Sequence, residues 1–298
     1  MSKRSPLFYV GDKYKLIDEI KTHFPTHIRN FVEPFVGGGS AFLNVPAEHY
    51  LLNDIDKDVI GLHKMLCANC NKRNSLINYF TSTAQSYGLS VTAIEDTIPE
   101  NLKKQFKKTY IAEYNRNAFY KLREDFNNLP KKNYKMLYLL LIYGFNRMIR
   151  FNAQGKYNLP VGNVDFNSNV IQALNDYFDK ASSNDIVWKS VDFSRFIANL
   201  DLNNEDLIYL DPPYLITFSE YNKLWNEDTE KRLLDLLDVL NEAGIKFAIS
   251  NVTHYKGRVN TLFLQWAGRY NIHSIHSNYI SYHDNTIKNF NEVLVTNY

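Results

Sequence analysis

Short apolar runs recur along this chain and predict the strands of a sheet. They lie at residues 31–36, 49–55, 185–188, 207–210 and 246–251. Runs that are apolar on both faces are typical of parallel strands, because helices cover both sides of a parallel sheet. The pattern therefore indicates an α/β fold. Two later runs, 272–280 and 292–298, predict an antiparallel pair that closes the sheet.

An amphipathic helix is predicted between the runs at 207–210 and 246–251. Acidic residues open it at 227–230, where the helix dipole favours them. Leucines spaced by three and four residues give it one apolar face, and Gly244 suits the position after its C-terminal cap. The two strands and this helix make one βαβ unit.

Residues 58–184 interrupt this alternation. The stretch is polar, rich in Asn and Lys, and helical in character, with an aromatic and apolar core at 135–145. The chain therefore divides into two predicted parts. Residues 1–56 and 186–298 form the α/β domain, and residues 57–185 form an inserted, mainly helical domain.

The charges are unevenly distributed, although the net charge is only +2. Residues 103–160 hold 13 basic and 3 acidic residues, whereas residues 185–245 hold 5 basic and 13 acidic ones. A solvated helical face would explain one basic stretch taken alone. A basic middle beside an acidic segment favours a polyanionic partner, since phosphate neutralisation needs clustered Lys and Arg.

The cysteines and the apolar content bear on metals and compartment. Cys67 and Cys70 follow His63, but no second cysteine pair completes the four ligands of structural zinc, so we expect reduced thiols and no metal. No stretch approaches about 18 consecutive apolar residues, and the N-terminus lacks a long apolar segment. We therefore expect a cytoplasmic protein without a membrane segment.

The strongest chemical motif is Asp211-Pro212-Pro213-Tyr214, which directly follows the run at 207–210. The prolines end the strand because neither donates to the sheet. The Asp211 carboxylate is thereby held at the edge where open α/β sheets bind ligands. Asp211 and the Pro212 carbonyl could accept both hydrogens of a planar amine and draw its lone pair out for attack on a methyl donor.

A glycine-rich segment, Phe-Val-Gly-Gly-Gly-Ser at 35–40, follows the first predicted strand, and Asp54 follows the second. Glycines there allow close approach of the backbone to a ligand, and the acid could bind ribose hydroxyls. An ordinary strand-to-helix turn is the alternative. The dinucleotide and P-loop fingerprints are both absent, so a nucleoside without pyrophosphate fits better, and S-adenosylmethionine is the common one.

Residues 143–162 alternate aromatic runs with Gly, Asn and Pro, which predicts a β-hairpin or extended loop pair near 144–162. Arg147 and Arg150 lie between apolar side chains in this segment. Arginine can pair with guanine through two hydrogen bonds, and apolar side chains can wedge between bases. A packed hairpin with exposed arginines is the alternative.

Together these motifs resemble the Dam-type (class α, D12) DNA adenine-N6 methyltransferases, particularly the T-even phage branch. The resemblance rests on residues 9–13, 35–39 and 211–214, in the order of class α, and on further likeness to the phage branch within 214–223 and 244–252. It implies a Rossmann-like, S-adenosylmethionine-dependent methyltransferase core with an inserted target-recognition domain. It also implies DNA adenine methylation by base flipping, as in restriction–modification, in a bacterial or phage-infected cell.

The resemblance assigns roles at the catalytic and cofactor sites. Asp211, Pro212 and Tyr214 would hold the flipped base, with Tyr214 stacked on it and no metal required. Asp54 would take the ribose hydroxyls and Phe193 would pack against the cofactor adenine. The implied S-adenosylmethionine pocket comprises Tyr9, Lys13, Phe35, Gly37, Gly39, Asp54, Phe193 and Asp211.

The resemblance also implies a double-stranded DNA partner, bound by a monomer or weak dimer. Arg150 would read a guanine, Phe145 and Asn146 would enter the stack beside the flipped base, and Met148 and Pro160 would contact bases. The implied DNA-binding residues are Phe145, Asn146, Met148, Arg150, Asn152 and Pro160.

Two departures leave the target as GATC or a related site. Phe8 stands where cellular Dam enzymes carry a guanine-reading lysine, and Asn163-Val164 stand where relatives have a basic pair. Amino methylation of cytosine N4, an RNA base or a protein glutamine stays open, as does a non-catalytic DNA-binding protein with a methyltransferase shell. The basic insertion favours duplex DNA, and the intact Asp211 and Tyr214 favour catalysis.

Overall fold

The computed structural model describes residues 2–217, 225–275 and 291–298, which contain one mixed sheet. Its strands are β1 (Asn30–Glu33), β2 (His49–Asn53), β3 (Asp185–Lys189), β4 (Leu207–Leu210), β5 (Lys246–Tyr255), β6 (Arg258–Val259), β7 (Asn271–Ile275) and β8 (Asn291–Thr296). The strand order is β3-β2-β1-β4-β5-β8-β7, and β6 pairs with β5. Strand β1 ends at Glu33, earlier than predicted, because Pro34 cannot donate to the sheet.

Strands β1 to β5 run parallel, and β8 runs antiparallel to β5 and β7. The predicted parallel sheet with a closing antiparallel pair is confirmed for the described residues; residues 276–280 of one predicted run lie outside them. All four residues of β4 are buried. Leu207 and Tyr209 belong to the apolar cluster on one face, and Ile208 and Leu210 to the cluster on the other.

Helices precede β1, connect each of the parallel strands β1 to β5, and follow β6. They are α1 (Ile17–Ile20), α2 (Ser40–Asn44), α3 (Lys57–Cys67), α4 (Arg73–Tyr87), α5 (Glu100–Phe106), α6 (Tyr110–Asn127), α7 (Tyr134–Tyr143), α8 (Ser168–Ser182), α9 (Phe193–Ile197), α10 (Glu227–Glu242) and α11 (Thr261–Ala267). Five of these helices begin with a side chain that accepts hydrogen bonds from backbone N–H groups. The capping residues are Asp56 for α3, Asn133 for α7, Asn167 for α8, Asn226 for α10 and Asn260 for α11.

The predicted βαβ unit is confirmed in β4, α10 and β5, which are consecutive and place β4 and β5 side by side. Gly244 has a φ of +71°, a left-handed conformation typical of the residue after a helix cap.

The stretch between β2 and β3 is mainly helical, as predicted, and contains α3 to α8. Its apolar side chains share a core with the sheet. Leu62 of α3, Leu139 of α7 and Phe178 of α8 belong to the same cluster as Phe31 and Tyr50. This part of the chain is therefore anchored on one face of the sheet, and α9, α10 and α11 cover the other.

Residues 144–162 form a bridged loop rather than the strands of a regular β-hairpin. Two isolated bridges hold the loop, and Phe145–Arg147 forms a 3₁₀ turn. Asn146 and Arg147 have φ values of +53° and +50°, which interrupts the extended backbone that strand pairing needs.

The cysteines and helices of the described residues add two facts. Cys67 and Cys70 are free thiols, and within those residues no group of three or more His, Cys, Asp or Glu side chains could hold a metal ion. No helix in the described ranges combines the length and the apolar character needed to cross a membrane.

A buried carboxylate ties the loop before β4 to the start of β1. Asp206 accepts hydrogen bonds from Arg29 and from the backbone N–H groups of Asn30 and Asn203. Burial alone would raise the pKa of Asp206, but these donors outweigh it and hold that pKa below its usual range.

We predict that Asp206→Ala lowers the free energy of unfolding in urea by about 2–4 kcal/mol, because a buried charge-assisted network loses its acceptor. The neighbouring, exposed Glu205→Ala serves as the control. Because the folded-state pKa is lowered, the deficit should be full at pH 7 and should shrink below about pH 4. Equal stability of the two variants at pH 7 would contradict this assignment.

Candidate functional site

A cleft of about 1010 Å³ opens at the carboxyl ends of the parallel strands. Residues that follow these strands meet there, as expected for the ligand-binding edge of an open α/β sheet. The structure brings together in this cleft all of the predicted catalytic and cofactor residues: Tyr9, Lys13, Phe35, Gly37, Gly39, Asp54, Phe193, Asp211, Pro212 and Tyr214.

The Asp211 carboxylate is fixed through one of its two oxygens. Its Oδ1 lies 2.8 Å from Lys13 Nζ and accepts a 2.7 Å hydrogen bond from the Tyr214 hydroxyl. The side chain remains 20% exposed to the cleft, and no described residue donates to Oδ2. One oxygen is therefore anchored and the other is available to a ligand.

Lys13 and Tyr214 hold definite protonation states beside Asp211. Burial alone would lower the pKa of Lys13, but Asp211, with Tyr214 and Glu292, holds that pKa well above its usual range. Burial, reinforced by Asp211, raises the pKa of the Tyr214 phenol well above its usual range. Lys13 is therefore an ammonium at neutral pH, and Tyr214 is a neutral phenol that accepts from Lys13 at 2.6 Å and donates to Asp211.

Glu292 completes this cluster, and sequence reasoning missed it. The residue lies in β8, and its side chain is 1% exposed. Its Oε1 lies 3.3 Å from Lys13 Nζ and 3.2 Å from the Tyr214 hydroxyl oxygen. A lone acidic residue just before the apolar run Val293-Leu294-Val295 was the available signal, since a carboxylate in a buried strand needs a cationic partner.

The glycine loop places backbone groups against Asp54. Gly37 and Gly39 have φ values of +47° and +78°, and a Cβ at Gly39 would lie 2.9 Å from Phe42 Cδ1. The backbone N–H groups of Gly37 and Asp56 each donate to Asp54 at 2.9 Å. Burial nevertheless raises the pKa of Asp54 to about 6. The carboxylate is thus oriented and poorly solvated, which strengthens its bond to any hydroxyl that enters the cleft.

His63 contacts the backbone of this loop. Its Nε2 lies 2.9 Å from the Gly37 carbonyl, its Nδ1 lies 3.1 Å from the Tyr177 hydroxyl, and its ring stacks on Trp188. Burial lowers the pKa of His63 to about 4, so the ring is neutral and Nε2–H donates to the carbonyl. His63 therefore has a role in positioning the loop.

Three aromatic rings also line the cleft. The Phe35 centroid lies 5.4 Å from that of Phe193 and 5.6 Å from that of Trp225. Trp225 Nε1 donates to Glu230 at 2.8 Å, and Arg232 lies over the Phe193 ring. Trp225 was not predicted, because nothing in the local sequence indicates that the residue before α10 folds back onto the cleft.

Buried polar atoms without a hydrogen-bond partner also line the cleft. Within the described residues they are Asp12 Oδ2, Glu33 Oε2, Ser40 Oγ and Glu292 Oε2. Burial, with the charge of Asp211 adding to it, raises the pKa of Glu33 well above its usual range. These groups suit a ligand that carries positive charge and hydrogen-bond donors, since buried polar groups otherwise remain uncompensated.

The predicted DNA-binding residues lie together in the bridged loop. Phe145 is 48% exposed, and its N–H donates to the carbonyl of the exposed Pro160 at 2.9 Å. Asn146 is exposed and left-handed, and Met148 packs partly against the core. The loop ends cross closely: a Cβ on Gly162 would lie 2.5 Å from a backbone oxygen.

Two other predicted DNA contacts have local bonds. Arg150 Nε donates to Asn158 at 2.9 Å, which orients the guanidinium. Asn152 Oδ1 accepts from the N–H groups of Gln154 and Lys156 at 3.0 Å, which closes the tip of the loop. The structure thus gives Asn152 a folding role in addition to the predicted contact.

Residues 9–280 match the family described as D12 class N6 adenine-specific DNA methyltransferase. The chain belongs to this family. Its mixed α/β architecture and mostly parallel sheet are consistent with a Rossmann-like methyltransferase core. Enzymes of the family use S-adenosylmethionine as methyl donor, and the cleft of about 1010 Å³ has room for it.

Several curated proteins are similar to this D12 family member. Modification methylase StsI of Streptococcus sanguinis is 34% identical over 306 residues, which cover 99% of this chain and 43% of that protein. Type II methyltransferase M.FokI of Planomicrobium okeanokoites is 33% identical, with 99% and 43% covered. DNA adenine methylase of Escherichia coli K12 is 28% identical, with 83% and 80% covered. The chain thus spans less than half the length of the two modification enzymes.

Proposed function

We propose that this chain transfers a methyl group from S-adenosylmethionine to N6 of adenine in double-stranded DNA, with the adenine flipped out of the duplex. The observation that carries the proposal is the state of Asp211. Lys13 and Tyr214 hold its Oδ1, which leaves Oδ2 on the cleft to accept a hydrogen from an amine. An acceptor fixed before the substrate arrives costs no reorganisation during the reaction.

The chemistry requires a more nucleophilic amine. The lone pair of the adenine amino group is delocalised into the ring, so the nitrogen must become pyramidal before it attacks. Asp211 Oδ2 would accept one N–H and the Pro212 carbonyl the other, and Oδ2 is then the nearest acceptor for the proton that N6 loses. S-adenosylmethionine, when bound, supplies a methyl group on a sulfonium sulfur. Tyr214, fixed through its hydroxyl, would stack on the base.

The residues of the cleft fit S-adenosylmethionine. Phe35, Phe193 and Trp225 would enclose the adenine, and Asp54 would accept the ribose hydroxyls. The unpartnered Oε2 of Glu33 suits the cofactor's positive charges. The remaining proposed cofactor contacts are Tyr9, Lys13, Gly37, Gly39 and Asp211.

For DNA, we propose that residues 57–185 provide target recognition and that residues 1–56 and 186–298 provide catalysis. The basic excess at 103–160 supports contact with phosphates. Adenine N6 cannot be reached for in-line attack within the stack, so the base must be flipped. In the bridged loop, Phe145 and Asn146 would take part in flipping, and Met148, Arg150, Asn152 and Pro160 would contact the duplex. The proposed target is GATC or a related site, as in the T-even phage branch, read by a monomer or weak dimer.

Asp211→Ala tests the catalytic proposal. It should reduce methyl transfer to duplex DNA by about 10²–10³-fold or more, because the preorganised acceptor is lost. DNA affinity, measured by fluorescence anisotropy, should change little. The exposed Asp201→Ala is the control, with activity equal to the wild type. Full methyl-transfer activity of Asp211→Ala would contradict the proposed mechanism.

The raised pKa of Asp54 makes cofactor binding depend on pH. The Asp54 carboxylate becomes protonated as the pH falls through about 6, and the neutral acid is a weaker acceptor for hydroxyls. The affinity for S-adenosylhomocysteine, measured by calorimetry, should therefore decline from pH 7.5 to 5.5, by up to about tenfold per pH unit below 6. Asp54→Asn should bind more weakly and show a flat profile; an unchanged slope in this variant would assign the titration to another group.

Arg150→Ala should relax the choice of base at one guanine, by about 1–3 kcal/mol. The measurement compares methylation rates on duplexes substituted at each position of the mapped site. Arg116→Ala, which removes a surface arginine paired with Glu113, is the control. A loss that is uniform over all duplexes would place Arg150 on phosphate instead.

A further inference from the structure

Left-handed backbone in the described residues concentrates at one place outside the cleft. Of the five non-glycine residues with positive φ, three are Phe8, Asn146 and Arg147, at +48°, +53° and +50°. Arg147 Cζ lies 3.8 Å from the centroid of the Phe8 ring, so strained residues of two distant segments are in contact. Asparagine tolerates this conformation, whereas Phe and Arg are rare in it. Such strain is concentrated at functional sites.

The same place holds two arginines that form no ion pair within the described residues. Arg4 Cζ lies 4.9 Å from the Phe8 centroid and 5.5 Å from that of Tyr14. Within the described residues neither Arg4 nor Arg147 forms an ion pair, and Arg147 Nε is buried without a hydrogen-bond partner. Two carboxyls lie near without forming an ion pair. Asp165 is close enough to influence Arg147, but its carboxylate is bound to Ser90 and Thr92. The charge of Arg4 acts on Asp12, whose Oδ1 accepts from the Tyr14 N–H.

Arg147 nevertheless keeps its charge. Burial, together with the nearby charge of Arg4, lowers the pKa of Arg147 to about 10, so the guanidinium remains protonated at neutral pH. A partly buried cation beside a second cation is unfavourable unless an anion compensates both. The two arginines lie on one aromatic ring, and Arg4 is exposed, so an anion can approach from solvent.

We propose that Arg4 and Arg147 form a phosphate-binding site for the DNA backbone, next to the turn formed by Phe145 and Asn146. This inference rests on the proposed function and adds a site to it. Guanidinium groups suit phosphodiester oxygens because they can donate two parallel hydrogen bonds. A base that leaves the stack requires its backbone to rotate, and phosphate contacts beside the turn would hold the strand in register while Phe145 and Asn146 act.

The Phe8 contact also links this site to the catalytic cluster. Phe8 directly precedes Tyr9, and the same short segment carries Lys13, which anchors Asp211. A phosphate bound at Arg4 and Arg147 would therefore fix the segment that positions the acceptor carboxylate.

The test compares Arg147→Gly, Arg4→Ala and the control Arg269→Ala in the full chain; Arg269 is an exposed arginine paired with Asp238, outside the basic stretch 103–160. Glycine at position 147 removes the guanidinium and adopts positive φ without strain. Binding of a fluorescent duplex is measured from 50 to 200 mM salt, with and without the mapped target sequence. Each of the two variants should reduce the slope of log K against log salt by about 0.9, equally for both duplexes, while Arg269→Ala retains the wild-type slope.

Stability and sequence choice separate this role from others. Arg147→Gly should keep or increase its resistance to urea, because a strained, uncompensated cation is removed; a clear loss of stability with an unchanged salt slope would make Arg147 a structural residue and overturn the inference. Weakening confined to the target duplex would assign a base contact and also overturn it. If the wild-type chain methylates DNA but both variants keep the wild-type salt slope, the phosphate site is refuted and the proposed function is not. If the wild-type chain neither binds nor methylates duplex DNA, the proposed function is refuted as well.

Discussion

The buried pairing of Lys13 with Asp211 is the interaction on which the site depends. It joins the N-terminal segment to the end of β4, and Tyr214 and Glu292 bind the same ammonium. A buried ion pair adds little net stability when desolvation is counted, so its main effect here is to fix the geometry of the site. Here the geometry that is fixed is the direction of one carboxylate oxygen toward the cleft.

Burial also sets the charge states of other side chains in and around the cleft. Glu33 is a buried carboxyl and Asp54 a half-buried one, and desolvation raises the pKa of each, whereas His63 is a buried imidazole whose pKa is lowered. The cleft thus presents hydrogen-bond acceptors that a positively charged ligand with hydroxyl groups can bind, while His63, which positions the glycine loop, is neutral. A positively charged nucleoside compensates more of these groups than an anionic nucleotide would, which agrees with the absence of a phosphate loop.

Local patterns predicted the parts of the structure that depend on local physics. The buried β4, the helix α10 with Gly244 after its cap, and the proline-ended turn at Asp211 each follow from a few neighbouring residues. The family resemblance predicted most of the residues that line the cleft. Glu292 and Trp225 were missed because their places in the site result from how distant segments pack. Of the two forms predicted for residues 144–162, the structure shows the loop pair, joined by two isolated antiparallel bridges. The left-handed turn at Asn146, which extended patterning does not reveal, interrupts regular strand pairing.

The central claim is that Asp211 and its partners activate adenine N6. The most direct measurement incubates the purified chain with unmethylated duplex DNA and S-adenosylmethionine labelled in its methyl group, then digests the DNA and identifies the labelled nucleoside by mass spectrometry. The account predicts label in N6-methyladenine alone, at one short sequence. Label in N4-methylcytosine, or no transfer to DNA by a folded protein that binds S-adenosylhomocysteine, would contradict it.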